Sequence, residues 1–392
     1  MNRVKNLRLA RGYSLEELAE RMGGVVTKQA LSKYETGKAK PGPGVALMLA
    51  DALGVKAAAL LGPQKYSVEF IAYRKLSGLG ATRQREVEAL LTEALQERLD
   101  LEERLGITCE FCVKRRPVRN PAEVEAVALA LRDEWSLGRE PIPNLVDVLE
   151  RKGVQVIDVQ DVPEKFHGLS ALVHDDERRL RGALIAYRSG VDGERQRSTA
   201  AHELGHLAMD VAGHLPEEKT VQSFASSFKM PEELMHEVVG RRRQHFTDAE
   251  LLEWKKFFGA SMQAIVYRAK TLGIISERYA ADWFKNFSQR GLRRAEPSPL
   301  PPEHPTYWPQ LVRRAYAEGV ITAEDANRLV PGIVTEASHP GLDRHAVLRL
   351  PVERRRALLE EQAKHAADHY APGAEGMEWA EEFADEDILD DY

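Results

Sequence analysis

Apolar residues between Val4 and Val55 recur at helical spacing, in short runs punctuated by Gly12, the Gly23-Gly24 pair, Gly37 and Pro41-Gly42-Pro43. That pattern predicts a compact all-helical domain of short helices. A longer run from Ala81 to Leu105 is dense in Glu, Arg and Leu and reads as a solvated helix packed on one side, with a connecting helix or a dimer contact as alternatives. Past Pro117 the period changes. Helices are predicted around Ala122–Trp135 and Ile142–Lys152, and then Val154 to Val159 has the alternation and β-branching of a strand. Gly168–Val173 and Gly182–Tyr187 read as further short strands. Beyond Ser198 the pattern is helical to about residue 330, with Pro297, Pro299, Pro301, Pro302 and Pro305 marking a break and Pro331–Pro340 a linker. A last charged helix, about Val352–Tyr370, precedes an acidic tail.

The fold class expected is therefore multidomain and mainly α with an α+β core: an all-α domain at 1–62, a helical connector at 63–116, a core with a small sheet at 117–295, a helical extension and linker at 296–340, and a helix plus acidic tail at 341–392. A length of 392 residues suits several folding units better than one core.

Composition adds two constraints. With 43% apolar and 30% charged residues and no run of roughly twenty apolar positions, no membrane partner is expected. The first residues lack the apolar centre of a secretory signal, so a cytoplasmic location is expected. Cys109 and Cys112 are the two cysteines, too few for a disulfide framework, and their spacing lacks the second pair that a zinc ribbon requires. The formal charge of −6 conceals a polarity: residues 1–62 hold ten Lys or Arg against five acids, and residues 374–392 hold nine acids and no base. The basic end is the natural partner for phosphate.

Within that end, Ser14 with Glu17 three residues on is a capping box that starts one helix, and Thr27 caps a second whose apolar side carries Ala30, Leu31 and Tyr34. Lys28, Gln29, Ser32 and Lys33 then share a donor-rich face suited to a major groove. Thr27, Lys28, Gln29, Ser32, Lys33 and Lys38 are the DNA-contacting candidates. The run Leu31-Ser32-Lys33-Tyr34-Glu35-Thr36-Gly37, followed by Pro41 and by Leu49 to Val55, resembles the phage-repressor-type (XRE) helix-turn-helix family. Leu15 stands where that family often has Gln. The resemblance implies double-stranded operator DNA as partner and, because two half-sites are usual, a homodimer.

The second chemical signal is His202-Glu203-Leu204-Gly205-His206. Two histidines four apart lie on one helix face and reach one ion, and Glu203 beside them is placed as general base for an attacking water. A catalytic zinc keeps three protein ligands and an open position, and Glu218, opening the next helix, supplies the third, with its neighbour Glu217 as competitor. Zn²⁺ is the cofactor so implied. The wider segment resembles the ImmA/IrrE-type metallopeptidases, which cleave repressor proteins: in that family a Glu-x-x-Ala-Asn-x-Phe-Ala helix ends in Met-Pro, and here Glu218 to Ala225 closes with Met230-Pro231. Val221 and Gln222 replace the Ala and Asn, leaving the support of the ligand helix open. Ile142 to Val146, Gly168 to Ala171 and Met262 to Ala269 carry the likeness further. Tyr267 in the last of these reads as core rather than as an oxyanion donor.

Beyond Leu350, the chain resembles small antitoxins that accompany ribonuclease toxins, with Trp379, Phe383, Ile388 and Leu389 set among acids. Two functions are thus expected: a DNA-binding regulator whose zinc-peptidase domain cleaves or senses a regulatory protein, or an antitoxin that represses its own operon, binds a toxin through its tail and keeps the peptidase fold without catalysis.

Overall fold

The helical punctuation at the N-terminus folds as read. In the computed structural model, which describes residues 3–57, 60, 65–71, 80–107, 111, 113–334, 352 and 354–356, four helices come first: α1 (Arg3–Ala10), α2 (Leu15–Arg21), α3 (Lys28–Glu35) and α4 (Pro43–Ala52). The Ser14/Glu17 capping box is closed in both directions, and Thr27 Oγ1 accepts from Ala30 N–H. Leu7, Leu18, Leu31, Leu49 and Leu53 form the core of this domain. A buried bidentate pair, Arg8 to Glu35 at 2.6 and 2.9 Å, ties α1 to the end of α3.

Tyr66–Phe70 is a strand, β1, followed by the long helix α5 (Ala81–Arg104). The connector is therefore not purely helical. β1 is too short and too polar at alternate positions to declare itself in sequence; its pairing partner, more than a hundred residues on, makes it a strand. After β2 (Arg116–Val118) come α6 (Glu123–Glu134), α7 (Leu145–Arg151), β3 (Val154–Val159), β4 (Gly168–Asp175), β5 (Leu180–Arg188), α8 (Gly193–Ala208), β6 (Met209–Val211) and α9 (Glu217–Lys229). The helix expected from Ile142 begins at Leu145 because Asn144 caps it, accepting from Asp147 N–H at 2.9 Å. The four-stranded sheet has the order β1-β4-β5-β3, with β3 parallel to β5 and the other pairings antiparallel; β2 and β6 form a separate parallel pair.

Strand alternation sends Val154, Val156, Ala183, Ile185 and Tyr187 to one face, packed on Ala200, Ala201 and Leu204 of α8. The opposite face, with Ile157, Val159, Leu169, Ala171, Leu184 and Ala186, packs on Val87 and Leu91 of α5. Thus α5 packs its apolar side as read, and it is a structural layer rather than only a connecting helix. It also receives the N-terminal domain, since Arg11 of α1 pairs with Glu93 at 2.7 and 2.9 Å and Arg3 donates to Gln96.

Helices α10 (Glu232–Val238), α11 (Asp248–Phe258), α12 (Met262–Thr271) and α13 (Glu277–Gln289) build a second core around Leu251, Phe258, Ile265, Val266 and Phe287. The proline-rich segment beyond it is not a free break. Glu296 accepts from Met262 and Gln263 N–H at the start of α12, Leu300 O accepts from Gly193 N–H, and Glu303 binds both Arg197 and Val146 N–H. Prolines suit such a strap because an extended chain held by side chains needs few backbone donors. α14 (Tyr307–Ala317) follows. Residues 312 onward form a separate unit, in which Thr322 caps α15 (Ala323–Leu329) and Asn327 makes two hydrogen bonds to Val334. Cys109, Cys112 and nearly all of the 341–392 segment, including its proposed toxin-binding part, lie outside the described residues. Among those described, no helix is long and apolar enough to cross a membrane.

Candidate metal centre and nucleic-acid interface

Helix α8 is buried nearly throughout, so its polar residues are held in place by packing. His202 and His206 lie one turn apart on it, and α9 crosses beside them with Glu218 in its first turn. Close crossing depends on Gly205: a Cβ there would stand 2.9 Å from Val221 Cγ1 and 3.0 Å from Phe224 Cδ1. Val221, which departs from the small residue of the resembling family, therefore fills the space that Gly205 leaves. Gly168 does the same for β4, where a Cβ would meet Thr199 Cγ2 at 2.4 Å and Ala186 O at 2.9 Å.

The result is a cluster in which one ligand atom from each of His202, His206 and Glu218 lies within 4.8 Å of the others. Glu218 Oε2 is 3.4 Å from His202 Nε2, and its Oε1 is 3.6 Å from His206 Nε2. Glu217, the competitor for the third position, instead faces Nδ1 of His206 at 3.5 Å. The two acids thus divide between the two nitrogens of one ring.

Two further residues complete the centre. Gln222, one turn beyond Glu218, places Oε1 3.2 Å from His202 Nδ1, where it accepts the ring N–H and leaves Nε2 to face Glu218. The residue that departs from the resembling family's Asn is therefore in hydrogen-bond reach of the His202 ring. Ser170 on β4 donates to Glu203 Oε2 at 3.1 Å, and Glu203 has no solvent exposure. Ser170 was missed in the sequence, although a polar residue with the parity of Gly168 and Leu172 in an apolar strand marks a side chain directed at α8.

A cleft of about 390 Å³ opens over the cluster, lined by Gly168, Ser198, Thr199, His202, Glu203, Glu218 and Gln222 and by Lys165, Phe166, His167 and Arg195. His167, read in sequence as an ordinary surface histidine, thus lines the cleft, its Nδ1 3.3 Å from an Arg195 nitrogen. Tyr267 is not among the lining residues; it lies half-buried on α12, with the Lys270 ammonium 4.8 Å from its ring centre.

On the N-terminal domain, Thr27, Lys28, Gln29, Lys33 and Lys38 are exposed and Ser32 is half-buried, all on α3 or the turns flanking it. The face is less open than its sequence suggests, because Lys28 reaches back to Glu16 on α2 at 2.6 Å, an ion pair that raises the Lys28 pKa and lowers that of Glu16. Both partners are solvated, so the pair is weak enough to yield to a phosphate.

Residues 4–60 match the helix-turn-helix family, and residues 149–270 match the IrrE N-terminal-like domain. No curated protein and no solved structure matches the chain.

Proposed function

We propose that this chain, which joins an XRE-type helix-turn-helix to an IrrE/ImmA-like peptidase domain, is a DNA-binding regulator that uses zinc to hydrolyse a peptide bond in a regulatory protein. The observation that carries the reading is the spacing of the three ligand atoms. Ligands about 2.0–2.2 Å from a tetrahedral zinc stand about 3.3–3.6 Å from one another. One ligand atom from each residue lies within 4.8 Å of the others, and the two oxygens of Glu218 stand 3.4 Å (Oε2) and 3.6 Å (Oε1) from Nε2 of His202 and of His206, close enough to support that geometry. A set of two imidazoles and one carboxylate also suits a catalytic ion with one position left open.

When bound, zinc supplies a Lewis acid that polarises the scissile carbonyl. His202, His206 and Glu218 hold it, Gln222 fixes the ring of His202, and Glu217 lies against that of His206. The Glu203 carboxylate takes the proton of the attacking water and returns it to the leaving amine, its plane set by Ser170.

Gln222→Leu removes the acceptor for His202 Nδ1–H. Zinc affinity, measured by competition with a chromophoric chelator, is expected to fall about 10–100-fold. Unchanged affinity would deny Gln222 its orienting role.

For the nucleic-acid end, α3 is the reading helix, with Gln29 at base edges and Lys33 and Lys38 at phosphates. Gln29→Ala is expected to weaken binding to the DNA that the full chain selects by about 1–3 kcal/mol, whereas Lys33→Ala weakens all sequences alike and reduces the salt slope by about one. Titrations at several salt concentrations separate the two, and equal losses on selected and random DNA for Gln29→Ala would remove it from base readout. Dimerisation and a cytoplasmic location belong to the same proposal, since paired half-sites are the usual target of such domains. The antitoxin reading rests on the acidic tail alone; loss of a co-purifying small basic protein on deleting 341–392 would favour it.

A further inference from the structure

A buried charge behind the cleft has no part in the proposed chemistry. Lys229, the last residue of α9, is 3% exposed, and its ammonium donates at 2.6 Å to Ser198 Oγ. No carboxylate pairs with it among the described residues. This contrasts with Lys255, which is buried between Glu194 and Glu296. A buried ammonium left with a single hydroxyl is costly, and the cost is relieved by loss of its proton or by an anion that reaches it. Burial, with Arg197 nearby, pulls the Lys229 pKa down to about 7.

Ser198 is the outlet for that charge. It lines the cleft four residues before His202, hence on the same face of α8 and about 6 Å along the helix axis. Because its oxygen accepts from Lys229, its own proton is left to donate into the cleft. Arg195 stands three residues before Ser198 on α8, with His167 Nδ1 3.3 Å from it, and Lys165 lines the same cleft, which also holds the acids Glu203 and Glu218.

We propose that Ser198, backed by Lys229 and flanked by Arg195, forms a carboxylate-binding subsite that selects acidic peptides. This rests on the peptidase reading above. A span of about 6 Å is roughly two residues of extended peptide, so the recognised carboxylate lies one or two residues from the bond cut. It is either an Asp or Glu side chain or a terminal carboxylate.

The test uses the zinc-loaded full chain carrying Glu203→Gln, which retains substrate without cutting it. Three pools of fluorescein-labelled decapeptides are titrated by anisotropy: one rich in Asp and Glu with amidated ends, its Asn and Gln counterpart, and that counterpart with a free C-terminal carboxylate. At least one carboxylate pool is expected to bind about tenfold tighter than the amide pool, and Ser198→Ala or Lys229→Met each to reduce the advantage to about twofold or less. The ratio is read within one preparation, so a misfolded variant lowers all pools together and does not imitate the result. Tighter binding of the acidic amidated pool assigns the side chain, and of the free-acid pool the terminus; both support the subsite. Equal binding of all pools overturns the subsite and leaves the peptidase reading standing. A preference that survives both variants also overturns it, by placing recognition elsewhere, such as on the basic N-terminal domain. Failure of every pool to bind, in protein that holds no zinc, overturns both.

Discussion

Glu203→Gln is expected to reduce cleavage of the regulatory partner by roughly 10²–10⁴-fold, the usual contribution of a positioned general base. The substitution keeps the volume and the hydrogen bond from Ser170, and Glu203 is not one of the three clustered ligands, so zinc content should stay at the wild-type level. Partner cleavage followed by immunoblot in cells, beside zinc analysis of the purified variant, reads both quantities. Full cleavage by Glu203→Gln would remove the residue from the chemistry; loss of zinc along with cleavage would make it a structural support of the ligands.

Lys255→Met is expected to produce the largest loss of stability. Its ammonium is fully buried and touches Glu194 at 2.5 Å and Glu296 at 3.2 Å, with both carboxylates nearly inaccessible. Removing the cation strands two buried charges, which costs about 3–5 kcal/mol. The consequence is local as well as global. Glu194 accepts from Leu300 N–H at the beginning of α8, and Glu296 caps α12, so the proline strap loses its fastening to the helix that carries the histidines. A lowered unfolding temperature in a calorimetric scan, recovered in part by also replacing Glu194 with Gln, would confirm that stranded charge rather than lost packing is responsible. An unchanged temperature would contradict it.

Much of this fold is written in short-range pattern. Val154–Val159 is the strand that its alternation announces, and the Ser14 and Thr27 caps sit where hydroxyls precede apolar helical runs. What escaped detection depends on distant partners. β1 becomes a strand by pairing with β4, and α5, dense in charge, becomes a layer because the sheet offers Leu169, Ala171, Leu184 and Ala186 to its apolar side. The strap at 296–306 read as a break between helices because of its prolines; its structure comes from Glu296 and Glu303, whose targets lie on other elements. The site divides the same way. That His202, His206 and Glu218 would come together was legible from helical spacing and a short loop, and Glu203 follows His202 on the same helix. Ser170, Gln222, Ser198 and Lys229 act across elements, and no local spacing reports such contacts.

The central claim is that α8 and α9 hold a catalytic zinc, and elemental analysis of the purified full chain beside His202→Ala and Glu203→Gln tests it most directly. The account predicts about one zinc per chain in the wild type and in Glu203→Gln, and close to none in His202→Ala, because two remaining ligands do not retain the ion against a chelator. No zinc in the wild type, or the same amount in His202→Ala, would contradict it.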